Sequence, residues 1–322
     1  MRNTAQYILK RLLYMIPMVL VITFLIYGGL ELTPGDAISH MIPPDQLANV
    51  NPEQLEALRE SYGLNDPFLL RYVRWLGELL HGNFGYSITS GVPIKDILLQ
   101  LFPATLELSL AALAISSVLG SILGILSALK KGSIGDNVLT VFGMIGVSIP
   151  QFFFGMLCIL VFALDWAILP IGGRMAPGET GIWNHFKYLI LPASVLGISL
   201  TAGVMRYSRS SMLDTMNKDY IKTARAKGLP EWRVNLLHGL RAAMTPVVVL
   251  IGFRLPMLIG GAVVVEEVFQ WPGIGVLFVD AVRSQNTPLV MIIGFFSVLL
   301  VLVASIVVDI ITALLDPRIK LS

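Results

Sequence analysis

The sequence predicts an all-α integral membrane protein of six transmembrane helices, with a long outer insertion after the first helix and a polar loop between the fourth and fifth. Two observations carry this: composition and run length. Of the 322 residues, 55% are hydrophobic and only 14% are charged, and several apolar runs approach the roughly 20 residues needed to cross about 30 Å of hydrocarbon. A third observation, the placement of Lys and Arg, orients the chain.

The runs expected to span are 11–31, 104–129, 138–165, 188–208, 243–265 and 289–314. Each carries Gly, Ser or Pro, as in SVLGSILGILSA (117–128) and LIGGAVVV (258–265), the composition expected where helices pack closely in lipid. Arg2, Lys10 and Arg11 accompany the first run as they would a signal peptide. The run is long and lacks a clear small-residue cleavage site, so it reads as an uncleaved anchor.

Basic residues collect in four places: before the first span, at Lys130 and Lys131, after the last span at Arg318 and Lys320, and between spans four and five. That last loop holds Arg206, Arg209, Lys218, Lys222, Arg225, Lys227, Arg233 and Arg241 against Asp214, Asp219 and Glu231. The positive-inside bias makes these regions cytoplasmic, and six spans then put both termini inside. Residues 32–103 have the opposite balance, with Arg59, Arg71, Arg74 and Lys95 against Asp36, Asp45, Glu53, Glu56, Glu60, Asp66, Glu78 and Asp96. This insertion is too polar to span. It contains two helical stretches, NPEQLEALRESYGL (51–64) and PFLLRYVRWLGELLHG (67–82). The second is expected either to lie on the membrane surface or to pack against the outer helix ends.

Catalytic chemistry is scarce. The single cysteine, Cys158, falls inside the third span, which rules out an internal disulfide or a cysteine metal cluster. His40, His81, His185 and His238 show no ligand spacing, and no GxxxxGK[ST] phosphate loop is present. The chain therefore reads as non-catalytic, without a cofactor or metal of its own and with no nucleic-acid partner.

The polar loop has local design. DYIKTARAK (219–227) forms a helix that Gly228 ends, and Pro230 can open a second short helix with Glu231 near its positive end. Trp232, Leu236 and Leu240 then recur at i, i+4 and i+8. Such a stripe fits either another protein's groove or the membrane interface. Ionisable groups at or within the membrane are Glu107, Arg254 and Asp309, with Arg254 the most central. Its expected partner is a solute carboxylate, backbone carbonyls, or an acid on a second membrane subunit. FQWPGIG (269–275) follows span five, where Phe269 and Trp271 suit an interfacial belt, an outer gate or a docking site, with Glu266 and Glu267 beside them.

The loop resembles the cytoplasmic signature of permease subunits of binding-protein-dependent ABC importers: Glu-Ala-Ala, three residues, Gly, nine residues and I-x-L-P. Lys222, Thr223 and Ala224 hold the first three positions, Gly228 the glycine, and His238, Gly239, Leu240 and Arg241 the close. The acidic residue and the final proline are missing, departures that look like the peptide and nickel branch. Further blocks of that branch follow in its order: TPGD (33–36), GNFGYS (82–87), FPATLELSL (102–110), SIPQFFFGMLCILVF (148–162), LPIGGR (169–174), LPASVLG (191–197), RYSRSSMLDTMNKDYIKTARAKGL (206–229) and GGAVVVEEVFQWPGIGVLFVDAV (260–282). The match is to the first permease, the subunit with the long outer insertion.

The resemblance implies the type I ABC importer permease fold. Residues 1–10 would be a cytoplasmic N-terminus, 11–31 the first span, 32–103 the extracytoplasmic insertion, and 104–322 a five-helix core with a coupling loop at 209–242. It also implies a homologous second permease, two ATPases that bind ATP and Mg, a solute-binding protein outside, and a peptide as cargo, with nickel or another small solute as the alternative. The coupling helix would use Gly228 and Pro230 as its corner and Trp232 and Leu236 as its anchor, with Lys222, Arg225 and Arg233 pairing with acids on the ATPase. Glu107, Arg254, Glu266, Phe269 and Trp271 would belong to the path or gate. A secondary transporter would show internally similar halves, and none is detected.

Overall fold

The computed structural model describes residues 2–32, 51–61, 65–176, 178 and 180–315. The TPGD block, Asp36, Asp45, residues 62–64 and the basic tail with Arg318 and Lys320 lie outside the described residues. Helices follow one another almost without interruption. They are α1 (Arg2–Glu31), α2 (Pro52–Ser61), α3 (Phe68–Leu80), α4 (Ile94–Leu129), α5 (Ile134–Ser148) and α6 (Gln151–Cys158), which widens into a π-helical stretch at Ile159–Asp165. Then come α7 (Ile182–Met216), α8 (Asp219–Ala226) and α9 (Glu231–Arg233), which widens likewise at Val234–Leu240. The last are α10 (Arg241–Gly261), α11 (Val263–Val268), α12 (Ile274–Arg283) and α13 (Thr287–Leu315). Among the described residues there is no β-strand, only an isolated bridge between Tyr86 and Pro93.

Among the described residues, five helical stretches are long and apolar enough to cross a membrane: Lys10–Glu31, Ile94–Leu129, Ile182–Met216, Glu231–Arg254 and Thr287–Thr312. The third expected span, 138–165, is not one helix. Pro150 forces Ile149 into an extended conformation (φ −82°, ψ 124°), so the run divides into α5 and the shorter apolar stretch Gln151–Asp165. The six-span expectation thus becomes five continuous candidates and one broken run.

The chain divides into two compact units. One comprises residues 1–7, 104–272 and 301–322, the other 8–103 and 273–300. The first unit is built on α4 and α7. A Cβ at Gly120 would lie 2.6 Å from Val204 Cβ, one at Gly124 2.4 Å from the Met205 carbonyl oxygen, and one at Gly197 2.8 Å from Ile115. Backbones meet where side chains are absent, the contact expected between helices in lipid. Around this seam Leu108, Ala112, Val195, Leu196, Phe269 and Trp271 form a buried core.

In the second unit the insertion helix α3 packs along α1. Phe24, Tyr27, Phe68, Tyr72 and Trp75 form an aromatic cluster with ring centroids 5.3–6.1 Å apart. The Tyr72 hydroxyl donates to the Leu20 carbonyl at 2.9 Å and meets the Thr23 hydroxyl at the same distance. At the end of α1, Arg71 pairs with Glu31. The GNFGYS segment is tied to the start of α13 by buried Asn286, which donates to Ser87 Oγ at 2.8 Å and accepts from the Ile88 N–H at 3.3 Å.

The seam gives a direct test. Gly124→Ala is expected to lose about 1–3 kcal/mol through overpacking, read as a lower Tm in detergent. Gly146→Ala, where an added Cβ meets nothing within 4 Å, should leave Tm unchanged or slightly raised.

Candidate functional site

The polar loop folds as a fixed corner. Helix α8 ends at Ala226 with Lys227 as its C-cap, and Gly228 turns the chain with φ +75° while its N–H donates to the Arg225 carbonyl at 2.9 Å. A side chain at that φ would be strained. Pro230 then precedes α9, its carbonyl accepting from the Arg233 N–H at 2.9 Å. Ile221, Ala224 and Val234 are buried at the inside of the corner with Met216 and Leu229 against them. Ala224 therefore builds the corner rather than presenting a surface, while Lys222, Thr223, Pro230, His238 and Arg241 are exposed.

The outer face is apolar. Trp232 is 58% exposed, Leu236 53% and Leu237 59%. The stripe expected from a 3.6-residue period ended at Leu240. The wider turn at Val234–Leu240 rotates the register, so Leu240 is half-buried and Leu237 takes its place. The flanking charges have partners within the chain: Lys222 with Asp219 at 2.9 Å, Arg225 with both oxygens of Glu231 at 2.9 and 3.3 Å, and the Arg233 guanidinium 5.2 Å from the Trp232 ring centroid. Exposed pairs of this kind are weak and can exchange partners.

Beside the corner lies an ionic clamp that composition does not disclose. Asp136, 3% exposed at the loop end of α5, accepts from Arg209 Nη2 at 2.8 Å and Nε at 2.9 Å, from the Gly132 N–H at 3.0 Å and from the Ser127 hydroxyl. Arg209 also donates to Ser127 Oγ at 3.0 Å. Ser127 closes α4, Asp136 opens α5 and Arg209 sits near the end of α7, so three helix ends share one carboxylate. The Arg209 guanidinium, then the Ser127 hydroxyl and the Gly132 N–H, hold the Asp136 carboxyl well below the usual carboxylate range. Ser211 Oγ extends the connection to α10 by donating to the Ala243 carbonyl at 2.7 Å. In sequence, Arg209 is one cation among several; the partial signal is Ser133, whose hydroxyl caps α5 by accepting from the Asp136 N–H.

At the other end of the α4–α7 seam, Glu107 accepts from Arg174 at 2.9 and 3.2 Å and pairs with His185. Phe269 and Trp271 stand close by, but not as an interfacial belt or an exposed dock. Both are fully buried, with Trp271 Nε1 donating to the Ala104 carbonyl at 2.8 Å and the Phe269 carbonyl accepting from the Gly173 N–H at 2.7 Å. The approach at Gly172 is tighter still, since a Cβ there would lie 2.3 Å from the Phe269 oxygen. Glu266 is buried and accepts from the Thr105 hydroxyl at 2.7 Å, while Glu267 is exposed. Asp309 is half-buried on α13. Arg254 is half-buried on α10 and donates to the Leu200 carbonyl at 2.8 Å. Of the three partners expected for it, the structure supplies a backbone carbonyl. Among the described residues, no group of three His, Cys, Asp or Glu side chains comes together as a metal site.

The sequence model of a family described as binding-protein-dependent transport system inner membrane component matches residues 120–321. The chain is 40% identical to the oligopeptide transport system permease protein AppB of Bacillus subtilis, over 98% of this chain and 99% of that one. It is 33% identical to the dipeptide transport system permease protein DppB of Escherichia coli K12, over 98% of each, and 34% identical to the glutathione transport system permease protein GsiC of Escherichia coli O1:K1 / APEC, over 98% and 99%. A solved structure described as an amino acid ABC transporter with histidines shares the fold, with a TM-score of 0.51 at 14% identity over 70% of this chain and 95% of that one.

Removing the clamp's carboxylate should be costly. Asp136→Asn is expected to destabilise by about 3 kcal/mol, because Arg209 loses its counter-charge and one of the two accepting oxygens becomes an NH2 group facing other donors. A depressed carboxyl pKa contributes stability that is complete above the unfolded value of about 3.9 and is lost as pH falls through the folded one. The Tm gap between wild type and Asp136→Asn should accordingly stay constant from about pH 8 to pH 5 and begin to close only below about pH 4.

Proposed function

Because the chain belongs to the family of inner membrane components of binding-protein-dependent transport systems, we propose that it is the peptide-translocating permease of an ATP-driven importer and that its 219–240 corner docks into a cytoplasmic ATPase. The peptide cargo is supported by relatives named for oligopeptide, dipeptide and glutathione transport. The docking rests on one observation: Trp232, Leu236 and Leu237 stand exposed on a corner whose inner side is packed solid. An aromatic-led apolar patch of this kind fits a hydrophobic groove in a partner.

On this reading the chain forms half of the path beside a homologous second permease. A solute-binding protein delivers peptide from outside, and two ATPases bind ATP and Mg and perform the hydrolysis. Residues 1–10 and the coupling loop 209–242 face the cytoplasm with both termini, in the inner membrane of a bacterium or archaeon, while 32–103 lies outside and 104–322 forms the core. Motion in the ATPase would reach the helices through Gly228 and the clamp: a push on Trp232 passes through the packed corner into α7, and Asp136 links α7 to α4 and α5. Lys222, Arg225 and Arg233 would exchange their present partners for acids of the ATPase.

Co-purification from native membranes tests the docking. Trp232→Ala should leave yield and Tm of this chain unchanged and weaken ATPase recovery at least tenfold, the loss typical of a central aromatic anchor. Arg225→Ala, which removes an exposed pair, should change recovery by less than about threefold. ATPase recovery unaffected by Trp232→Ala would overturn the docking role.

A further inference from the structure

Helices that meet lipid leave apolar side chains uncovered. On α5 and α6 the uncovered residues include Val138, Val141, Phe142, Ile145, Phe152 and Phe153. Helix α7 differs. Its buried side carries Thr201, Ala202, Val204, Met205 and Ser208, and the side left open at the same level carries Gly203, Arg206, Tyr207 and Ser210. Spacings of three and four put these on one face, and that face is polar, cationic and small.

Helix α10 adds a second cation to it. Arg254 lies 13 residues beyond Arg241, about 20 Å along a helix, and reaches across to donate through Nη1 to the Leu200 carbonyl at 2.8 Å. Nη2 lies over Gly203, where a Cβ would come within 2.2 Å of it. The missing side chain lets the guanidinium lie flat on α7 without protruding. Arg206 follows Gly203 by three residues, about one turn nearer the 219–240 corner. Among the described residues no carboxylate pairs with either arginine.

A guanidinium within the membrane, as at Arg254, is costly unless water or a ligand meets it, and Arg206 continues the same cationic face toward the helix end. The Leu200 carbonyl occupies one of the five N–H donors of Arg254, leaving most of a planar fork whose geometry suits a carboxylate bidentately. A single acid on a neighbouring subunit would match one arginine and leave the other. A mobile carboxylate passing along the face would meet both in turn.

We propose that Arg254 and Arg206 form a two-step station for the C-terminal carboxylate of the imported peptide, Arg254 receiving it near mid-membrane and Arg206 accepting it one turn closer to the ATPase-docking corner. This rests on the reading of the chain as a peptide permease. The station sets polarity: the carboxylate end is held by the protein and the rest of the peptide is left free of it.

The test uses the complete importer, purified with its partners and reconstituted in vesicles with its binding protein and ATP inside. Two probes are compared, an equimolar mixture of labelled short peptides with free C-termini and the same mixture amidated. Arg254→Gln and Arg206→Gln are each expected to lower uptake of the free-acid mixture about tenfold, the value of one charge-assisted hydrogen bond. Uptake of the amides should change less than about twofold, and Arg254→Lys should recover part of the free-acid uptake. The binding protein is the same throughout, so its own preference cancels. Equal loss of both mixtures, or no loss of either, overturns the station while leaving the permease reading in place. Failure of the second permease to co-purify with Arg254→Gln overturns it in favour of an acid on that subunit. A wild-type complex that imports neither mixture on ATP overturns both readings.

Discussion

The near-contact of α4 with α7 is the constraint on which the first unit depends. Gly120, Gly124 and Gly197 let two backbones approach until a single Cβ would collide. Lipid gives no hydrophobic reason for two apolar helices to associate, so the closeness must come from packing and polar ties. Those ties stand at the two ends of the same seam. Glu107 of α4 pairs with His185 of α7 at one end, and Ser127 of α4 shares Asp136 with Arg209 of α7 at the other. Residue numbers rise together along both helices, so the pair runs parallel. Once the seam is fixed, Leu200 and Gly203 have a set position, and so has the arginine that rests on them.

Hydropathy made the helical class and most of the runs legible, because a membrane span is a property of composition over about 20 residues. It overlooked the break at Pro150, which depends on the conformation of a single residue ahead of a proline. The corner at Gly228 was also readable, since left-handed turns select glycine locally. The register of its outer face was not. Trp232 and Leu236 follow an ordinary helical period, but the widened turn after Arg233 exchanges Leu240 for Leu237, and nothing in seven residues of sequence announces such a turn.

Long-range partners were the least legible. Asp136 and Arg209 are 73 residues apart, and Trp271 meets Ala104 across 167. Composition left Trp271 and Phe269 open between an interfacial belt, an outer gate and a docking site, because aromatic side chains suit all three. Their burial follows instead from two glycines in the LPIGGR block, which let a loop lie directly against the Phe269 carbonyl. The same block brings Arg174 to Glu107. A motif that reads as a turn is thus what encloses an aromatic pair and neutralises a carboxylate.

The bond from Tyr72 to the Leu20 carbonyl bears on how the protein is made. Its two ends are separated by 52 residues, and the donor belongs to a helix beyond the end of the first span. The ring and its hydroxyl must therefore return to a level about 16 Å inward from Glu31 along α1. That can happen only once the surface of α1 is in place to receive it. The first span is in this sense a template: α3, made later in the chain, completes its packing on a surface that synthesis delivered earlier.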